Sequence, residues 1–311
     1  MQTFDIAVIG GGPGGYTAAL RAVTGGKSVV LFEGEEVGGT CLNKGCIPTK
    51  ALLSMAKRYA EARENGGYIS YSELAFDLEK ADEIKNSRVA KLHENLTKYL
   101  ASSKIVIIKA HAEFIAPNAN IADSEKKKSV GGGTGEISPY FILAAGETYR
   151  SEYVVIASGS VCATPPIDGI EHAFSSDKLT KKITPAREIA VIGGGVVGLE
   201  FTSFYTAVGA KVTMILMEEK PLITYEKDIS QTVGMLLKKK GVSIYGNSVV
   251  KKIEKTEAGF CVRFESAGEE KTVECDTVID ASGRRAVTEG LGLEKVGILY
   301  DKKGIYTDEN M

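Results

Sequence analysis

An excess of charge of either sign is missing from this sequence. Lys and Arg total 38 against 40 Asp and Glu, a net charge of -2. Composition therefore gives no argument for nucleic acid or an acidic membrane surface as a partner. Long apolar runs are missing too: there is no stretch of about eighteen apolar residues, as a membrane-spanning helix needs. The N-terminus, Met1-Gln2-Thr3-Phe4-Asp5, has neither a basic region nor a cleavage site. No secretory signal is read, and a cytoplasmic location is expected. Cysteine is sparse and odd in number, at 41, 46, 162, 261 and 275. That excludes the disulfide framework of a small secreted fold. Histidine occurs only at 93, 111 and 172. With no second close pair of Cys or His to complete a ligand set, no metal site is expected.

Glycine is the residue in excess, at 35 of 311, about 11% against a usual ~7%. One cluster follows an apolar run, Phe4 to Ile9, that suits a buried parallel strand. Gly10-Gly11-Gly12-Pro13-Gly14-Gly15 places glycines at the first, third and sixth positions. A helix from Tyr16 to Val23 and a strand from Ser28 to Phe32 come next, ending at Glu33. In this order each residue type has a task. Gly10 allows a tight turn, Gly12 lets a pyrophosphate approach the backbone, and Gly15 lets helix and strand pack closely. Free N–H groups at the helix start favour phosphate charge, and Glu33 can accept hydrogen bonds from a ribose.

The pattern recurs downstream. Ile189 to Ile192 reads as a strand, Gly193 to Gly198 repeats the glycine spacing, and a helix runs from Val197 to about Val208. The next strand, Lys211 to Leu216, ends on leucine where the first unit has an acid, and acids come only at Glu218 and Glu219. The fold class expected is α/β, two Rossmann-like dinucleotide-binding domains in series, the second inserted in the first. Boundaries are expected at 1–155, 156–282 and 283–311, the last a truncated segment returning toward the first domain. Between the motifs, Ser72 is expected to cap a helix from Glu73 to Ala101. The polar stretch from Asn118 to Ser138 is expected to form an exposed hairpin loop. His93 is expected on a partly exposed helix face with no catalytic role.

Two cysteines stand in Gly38-Gly39-Thr40-Cys41-Leu42-Asn43-Lys44-Gly45-Cys46-Ile47-Pro48-Thr49-Lys50. On a straight helix, residues five apart are separated by about 7.5 Å along the axis. A disulfide needs Cα atoms roughly 4.4–6.8 Å apart. A bridge therefore requires a break in the helix, which Gly45 and Pro48 fit. A thiolate at a helix start is also stabilised by the dipole. A redox pair is the preferred reading, with two inert thiols or half of a zinc site as alternatives. Cys162, Cys261 and Cys275 sit in or beside apparent strands and are expected to be buried and inert.

The segment 38–50 resembles the redox motif of the pyridine nucleotide–disulfide oxidoreductases, most closely the dihydrolipoyl dehydrogenase branch. The similarity extends to Ile156-Ala157-Ser158-Gly159-Ser160, to Gly193–Glu200, and to Gly283-Arg284-Arg285 followed by Thr288 to Leu293. It implies FAD and NAD as cofactors. Cys41 would be the interchange thiol and Cys46 the thiol nearer the flavin. Lys50 would sit by the flavin and pair with Glu200, as a buried lysine must. Gly38, Gly39, Thr40, Ala112, Ser158 and Gly159 would touch the flavin nucleotide; Gly193, Gly195, Gly198, Val250 and Gly283 would touch NAD.

The implied reaction oxidises dihydrolipoamide on a carrier protein or domain of a 2-oxo acid dehydrogenase or glycine cleavage complex. A full-length homodimer is implied. Mercuric or glutathione-reductase-like enzymes, and a non-catalytic nucleotide-binding fragment, are the alternatives. Leu216 departs from the family's NAD-selecting acid, and no nearby arginine favours NADP. In the family, the point matching Met311 precedes a second flavin motif and a dimer-forming domain with a His–Glu pair. The 311-residue chain alone is therefore expected to lack turnover.

Overall fold

The computed structural model describes residues 1–64, 71–116 and 139–311. The expected hairpin loop from Asn118 to Ser138 lies outside them. The chain opens with β1 (Gln2–Ile9), α1 (Pro13–Thr24), β2 (Val29–Phe32), α2 (Gly39–Asn43), α3 (Cys46–Arg63) and α4 (Leu78–Ser102). Next come β3 (Val106–Ile108), β4 (Ala112–Ile115), β5 (Tyr140–Ala144), β6 (Glu147–Ile156) and β7 (Ser160–Cys162). The middle holds β8 (Phe174–Ser175), α5 (Ser176–Lys181), β9 (Glu188–Ile192), α6 (Val196–Ala207), β10 (Lys211–Ile215) and α7 (Lys227–Lys239). It closes through β11 (Ser243–Tyr245), β12 (Ser248–Thr256), β13 (Gly259–Ser266), β14 (Glu269–Cys275), β15 (Thr277–Asp280) and β16 (Arg284–Ala286). Among the described residues no helix is long and apolar enough to cross a membrane.

The chain divides into two compact units. One comprises Met1–Asn43, Lys91–Val161 and Arg285–Met311; the other comprises Lys44–Ala90 and Cys162–Arg284. The second is thus inserted within the run of the first, and both are α/β.

The first unit is built on a six-stranded sheet ordered β3-β2-β1-β6-β5-β4. Pairings among β3, β2, β1 and β6 are parallel, and β5 and β4 add on antiparallel. Ala7, Ile9, Val30 and Phe32 enter one apolar cluster with Phe114 and Ile142. Val8, Val29 and Leu31 enter another with Ala19 and Leu100. Successive strand residues point to opposite faces, and here both faces are covered, so the strands read as continuous apolar runs.

The second unit holds a parallel five-stranded sheet ordered β11-β10-β9-β15-β8 and an antiparallel sheet β12-β13-β14. Val191, Met214, Leu216 and Ile279 pack on one side with Leu52, Ala56, Phe201 and Phe204. Ala190, Ile192, Ile215 and Val278 pack on the other with Val250, Val262 and Phe264. Four strands of each parallel array follow one plan. The strand before the glycine turn is central, the strand after the first helix lies to one side, and a late-returning strand lies to the other. That is the arrangement of a dinucleotide-binding half.

One helix start differs from expectation. The long helix begins at Leu78, and residues 73–77 are not helical. The cap is Asp77, whose Oδ1 accepts the N–H of Lys80 at 2.9 Å, the N3 amide of the helix. The extended lead-in places Phe76 edge-on to Tyr59 and Phe204, at ring-centroid distances of 5.5 and 6.0 Å. Burial of that ring sets the boundary, over the weaker local preference at Ser72.

Candidate functional site

The two glycine turns are alike to the level of single hydrogen bonds. Gly10 N–H donates to Phe32 O at 2.8 Å, and Gly193 N–H to Ile215 O at 2.9 Å. Ala157 N–H donates to Ile9 O at 2.8 Å, and Ala281 N–H to Ile192 O at 2.9 Å. Gly38 N–H reaches Gly11 O at 2.8 Å, and Leu222 N–H reaches Gly194 O at 2.9 Å. The residue capping each helix has nearly the same conformation, φ -72° and ψ -176° at Gly12, φ -75° and ψ -180° at Gly195.

The glycines within a turn do different work. A Cβ on Gly10 would overlap the carbonyl of Ala157, and one on Gly193 that of Ala281. A Cβ on Gly15 would overlap Gly10 O, and one on Gly198 would overlap Gly193 O. These four are required by protein packing. A Cβ on Gly12, by contrast, would meet only Gly39 Cα at 3.8 Å, and one on Gly195 nothing within 4 Å. The third glycine of each turn faces open space at a helix N-terminus, where free amides and the dipole favour an anion.

The residue after the second strand separates the two turns. Glu33 Oε2 accepts the Gly11 N–H at 2.7 Å and its Oε1 the Glu35 N–H at 2.7 Å. Leu216 occupies the same place in the second turn. It is 0% exposed, and its Cδ2 lies 2.9 Å from where a Cβ on Gly194 would stand. Leu216 thus fills with methyl groups the position from which a carboxylate would accept.

Of the other sequence candidates, Gly38 and Gly39 form a positive-φ pair (99° and 54°) that leads into α2, which carries Thr40 and Cys41. Cys46 is the first residue of α3, after a break at Gly45, where φ is -137° and ψ -104°. Gly45 alone carries this break. Pro48 stands in the first turn of α3, where its missing N–H would have no helical partner in any case. Cys41 is half-buried and Cys46 exposed. Ala112 is buried at the start of β4. Ser158 Oγ donates to Val287 O at 2.7 Å, and Gly159 has φ 73°. Val250 is buried in β12, and Gly283 has φ 150° with space around it.

Lys50 Nζ lies 2.6 Å from Glu200 Oε1, joining α3 to α6. The expectation of a buried lysine is corrected, since its side chain is 58% exposed against 20% for Glu200. Such a pair adds little stability, about 0–1 kcal/mol. A second correction concerns Cys162. Cys261 and Cys275 are buried, and burial pushes both thiols up, Cys275 to about 12. Cys162 is only half-buried, and its Sγ lies 3.4 Å from both Arg284 Nη1 and Asp177 Oδ1. Among the described residues no group of three or more His, Cys, Asp or Glu could hold a metal ion.

Two matching glycine turns, each with one face open to a phosphate, and a cysteine at either side of a helix break define a class: a double dinucleotide-binding protein with a thiol pair. The chain belongs to the pyridine nucleotide-disulphide oxidoreductases, whose family model matches residues 4–311. Members of this family use FAD and NAD(H). The chain is 35% identical over 309 residues to a dihydrolipoyl dehydrogenase of Staphylococcus aureus, covering 97% of this chain and 61% of that one. To a dihydrolipoyl dehydrogenase of Acholeplasma laidlawii it is 32% identical, covering 99% of this chain and 86% of that one. Among solved structures it resembles the HOCl-induced flavoprotein disulfide reductase RclA of Escherichia coli, with 27% identity and a TM-score of 0.77, covering 98% and 62% of the two chains. The chain thus spans about three-fifths of the length of the first of these relatives, 61%.

Proposed function

We propose that this chain acts in a flavin-dependent disulfide oxidoreductase of the dihydrolipoyl dehydrogenase type. The observation that carries the reading is the placement of Cys41 and Cys46 on either side of the Gly45 break, Cys46 at the first turn of α3. Residues 1–155 would hold FAD, 156–282 NAD, and 283–311 return to the first domain. The first turn suits a dinucleotide: Gly12 is open, and Glu33 is held by two backbone amides. The second turn suits the pyrophosphate at Gly195, but Leu216 offers a ribose no acceptor.

Bound flavin supplies a two-electron acceptor. The chain's own contribution is thiol–disulfide exchange. A dihydrolipoamide thiolate attacks Cys41 of the Cys41–Cys46 disulfide, forming a mixed disulfide and releasing Cys46 as a thiolate. The second substrate thiolate then displaces Cys41. Lipoamide leaves as its disulfide, and the pair is left as a dithiol. The nearby ammonium of Lys50, paired with Glu200, keeps positive charge on the helix that presents Cys46. The proposed partner is a dihydrolipoamide-bearing carrier protein of a 2-oxo acid dehydrogenase or glycine cleavage complex. A cytoplasmic location and a homodimer of the full-length protein are proposed with it.

The test is dihydrolipoamide-dependent NAD+ reduction by the full-length protein, with Cys46→Ser abolishing turnover. Turnover that survives Cys46→Ser overturns the reading. A second reading, a reductase of other disulfides, is favoured by the likeness to the E. coli disulfide reductase. It predicts nicotinamide-dependent reduction of small disulfides and no use of lipoamide.

A further inference from the structure

We infer that Thr180 is a positioning residue for Cys46, held in place by the buried Lys85 and its partner Asp82. The inference rests on the redox-pair reading above. Lys85 is 0% exposed. Its Nζ lies 2.7 Å from Asp82 Oδ1, 2.6 Å from Thr180 O and 3.2 Å from Lys181 O. Three acceptors use all three ammonium protons, which a lysine removed from water requires. Asp82 is committed as well: Oδ1 accepts the Ile183 N–H at 3.2 Å and Oδ2 the Asn86 Nδ2 at 3.2 Å. Together they rivet the C-terminus of α5 to the first turns of α4. That terminus carries unpaired carbonyls and partial negative charge. A helix of 6 residues has no stability of its own, so this fastening fixes where Thr180 stands.

Thr180 is 2% exposed. Its hydroxyl has one proton and three acceptors in reach: Lys44 O at 2.7 Å, Ser176 O at 3.1 Å and Asp177 O at 3.3 Å. A helical threonine ordinarily bonds back to its own preceding turn. Here the shortest bond goes instead to Lys44, 136 residues away. Lys44 stands between Cys41 and Cys46 and directly before Gly45. The helical ladder of α3 begins only beyond it, with Thr49 N–H donating to Gly45 O at 3.0 Å. Thr180 therefore pins the peptide that leads into Cys46.

A disulfide tolerates a narrow geometry. A pinned lead-in raises the effective concentration of one thiol toward the other. Releasing it lowers that concentration and favours the dithiol.

The experiment equilibrates the protein in glutathione buffers: two protein thiols plus one oxidised glutathione give the protein disulfide plus two reduced glutathiones. The fraction oxidised is read by alkylation and mass spectrometry. Thr180→Val removes the donor at nearly constant volume and should lower the exchange constant about fivefold, the factor one net hydrogen bond supplies. Thr180→Ser should restore it, and Asp82→Asn should shift it in the same direction as Thr180→Val. A Thr180→Val protein whose melting temperature falls while its exchange constant stays within about twofold of the parent overturns the positioning role and leaves the redox pair standing. A parent protein that forms no Cys41–Cys46 disulfide in any buffer overturns both.

Discussion

Replacing Gly15 by alanine separates packing from ligand binding in the first glycine turn. Gly15 is buried within α1. An added Cβ would overlap the carbonyl oxygen of Gly10 and come within 3.3 Å of the Ala157 methyl, where real Cβ atoms essentially never approach within 3.0 Å. Neither wall can give. Gly10 is held by its bond to Phe32 O and Ala157 by its bond to Ile9 O. Alanine is better than glycine in a helix by about 1 kcal/mol. Overpacking against fixed groups costs about 1–3 kcal/mol, and a backbone oxygen is at the upper end. The net expectation is a loss of about 2 kcal/mol, a large share of the roughly 5–15 kcal/mol by which domains are stable.

Gly12→Ala is the control. Its Cβ meets only Gly39 Cα, at 3.8 Å, and its dihedrals suit alanine. Stability should stay within about 0.5 kcal/mol, while bound flavin should be lost, because the methyl group would stand where the proposed site admits a phosphate. The chain has no tryptophan, so urea unfolding is followed by far-ultraviolet circular dichroism and flavin by its visible absorbance. A Gly15→Ala protein that unfolds at the parent midpoint refutes the packing argument. A Gly12→Ala protein that keeps its flavin refutes the ligand argument.

Leu216→Glu should raise the preference for NAD+ over NADP+ about tenfold, the scale of a hydrogen bond to a charged group, and should lower the melting temperature by removing a buried leucine; titration calorimetry with an unchanged preference would count against the assignment. Cys275 holds its proton more tightly when folded, because burial raises its thiol from 9.0 to about 12. Its contribution is therefore complete below pH 9 and is lost as pH rises toward 12. Cys275→Ala should flatten the fall in stability across that window, and denaturant titrations with parallel slopes for parent and variant would refute it.

Much of the fold could be read because glycine has no side chain to place. A residue type that gives up packing and entropy at the first, third and sixth positions, twice, after apolar runs, has few reasons to be there. The helix break between the cysteines was legible for a related reason: the disulfide distance and the helical rise disagree. What could not be read depends on partners distant in sequence. Ser72 and Asp77 are both good caps, and the choice falls to Phe76 meeting Tyr59 and Phe204. Cys162 reads as one more thiol near a strand, because Arg284 lies 122 residues on. Lys85 sits in a charged helical stretch with no local sign that it is buried. Two of its three acceptors lie on α5, 95 and 96 residues on.

The paired turns also show what the acid at the end of the second strand is for. Each turn is held by the same three backbone hydrogen bonds, and none of them involves that residue's side chain. In the first unit Glu33 adds a bond to Gly11 N–H; in the second the turn has the same form with Leu216 in its place. An acid is therefore not needed to build the turn. The proposed function relates its presence in one copy and absence in the other to what each copy binds. On the proposed reading, a leucine there leaves Gly195 open to a pyrophosphate and withdraws only the acceptor a ribose would use. The second fold would then keep the means to hold a dinucleotide and give up one means of choosing which.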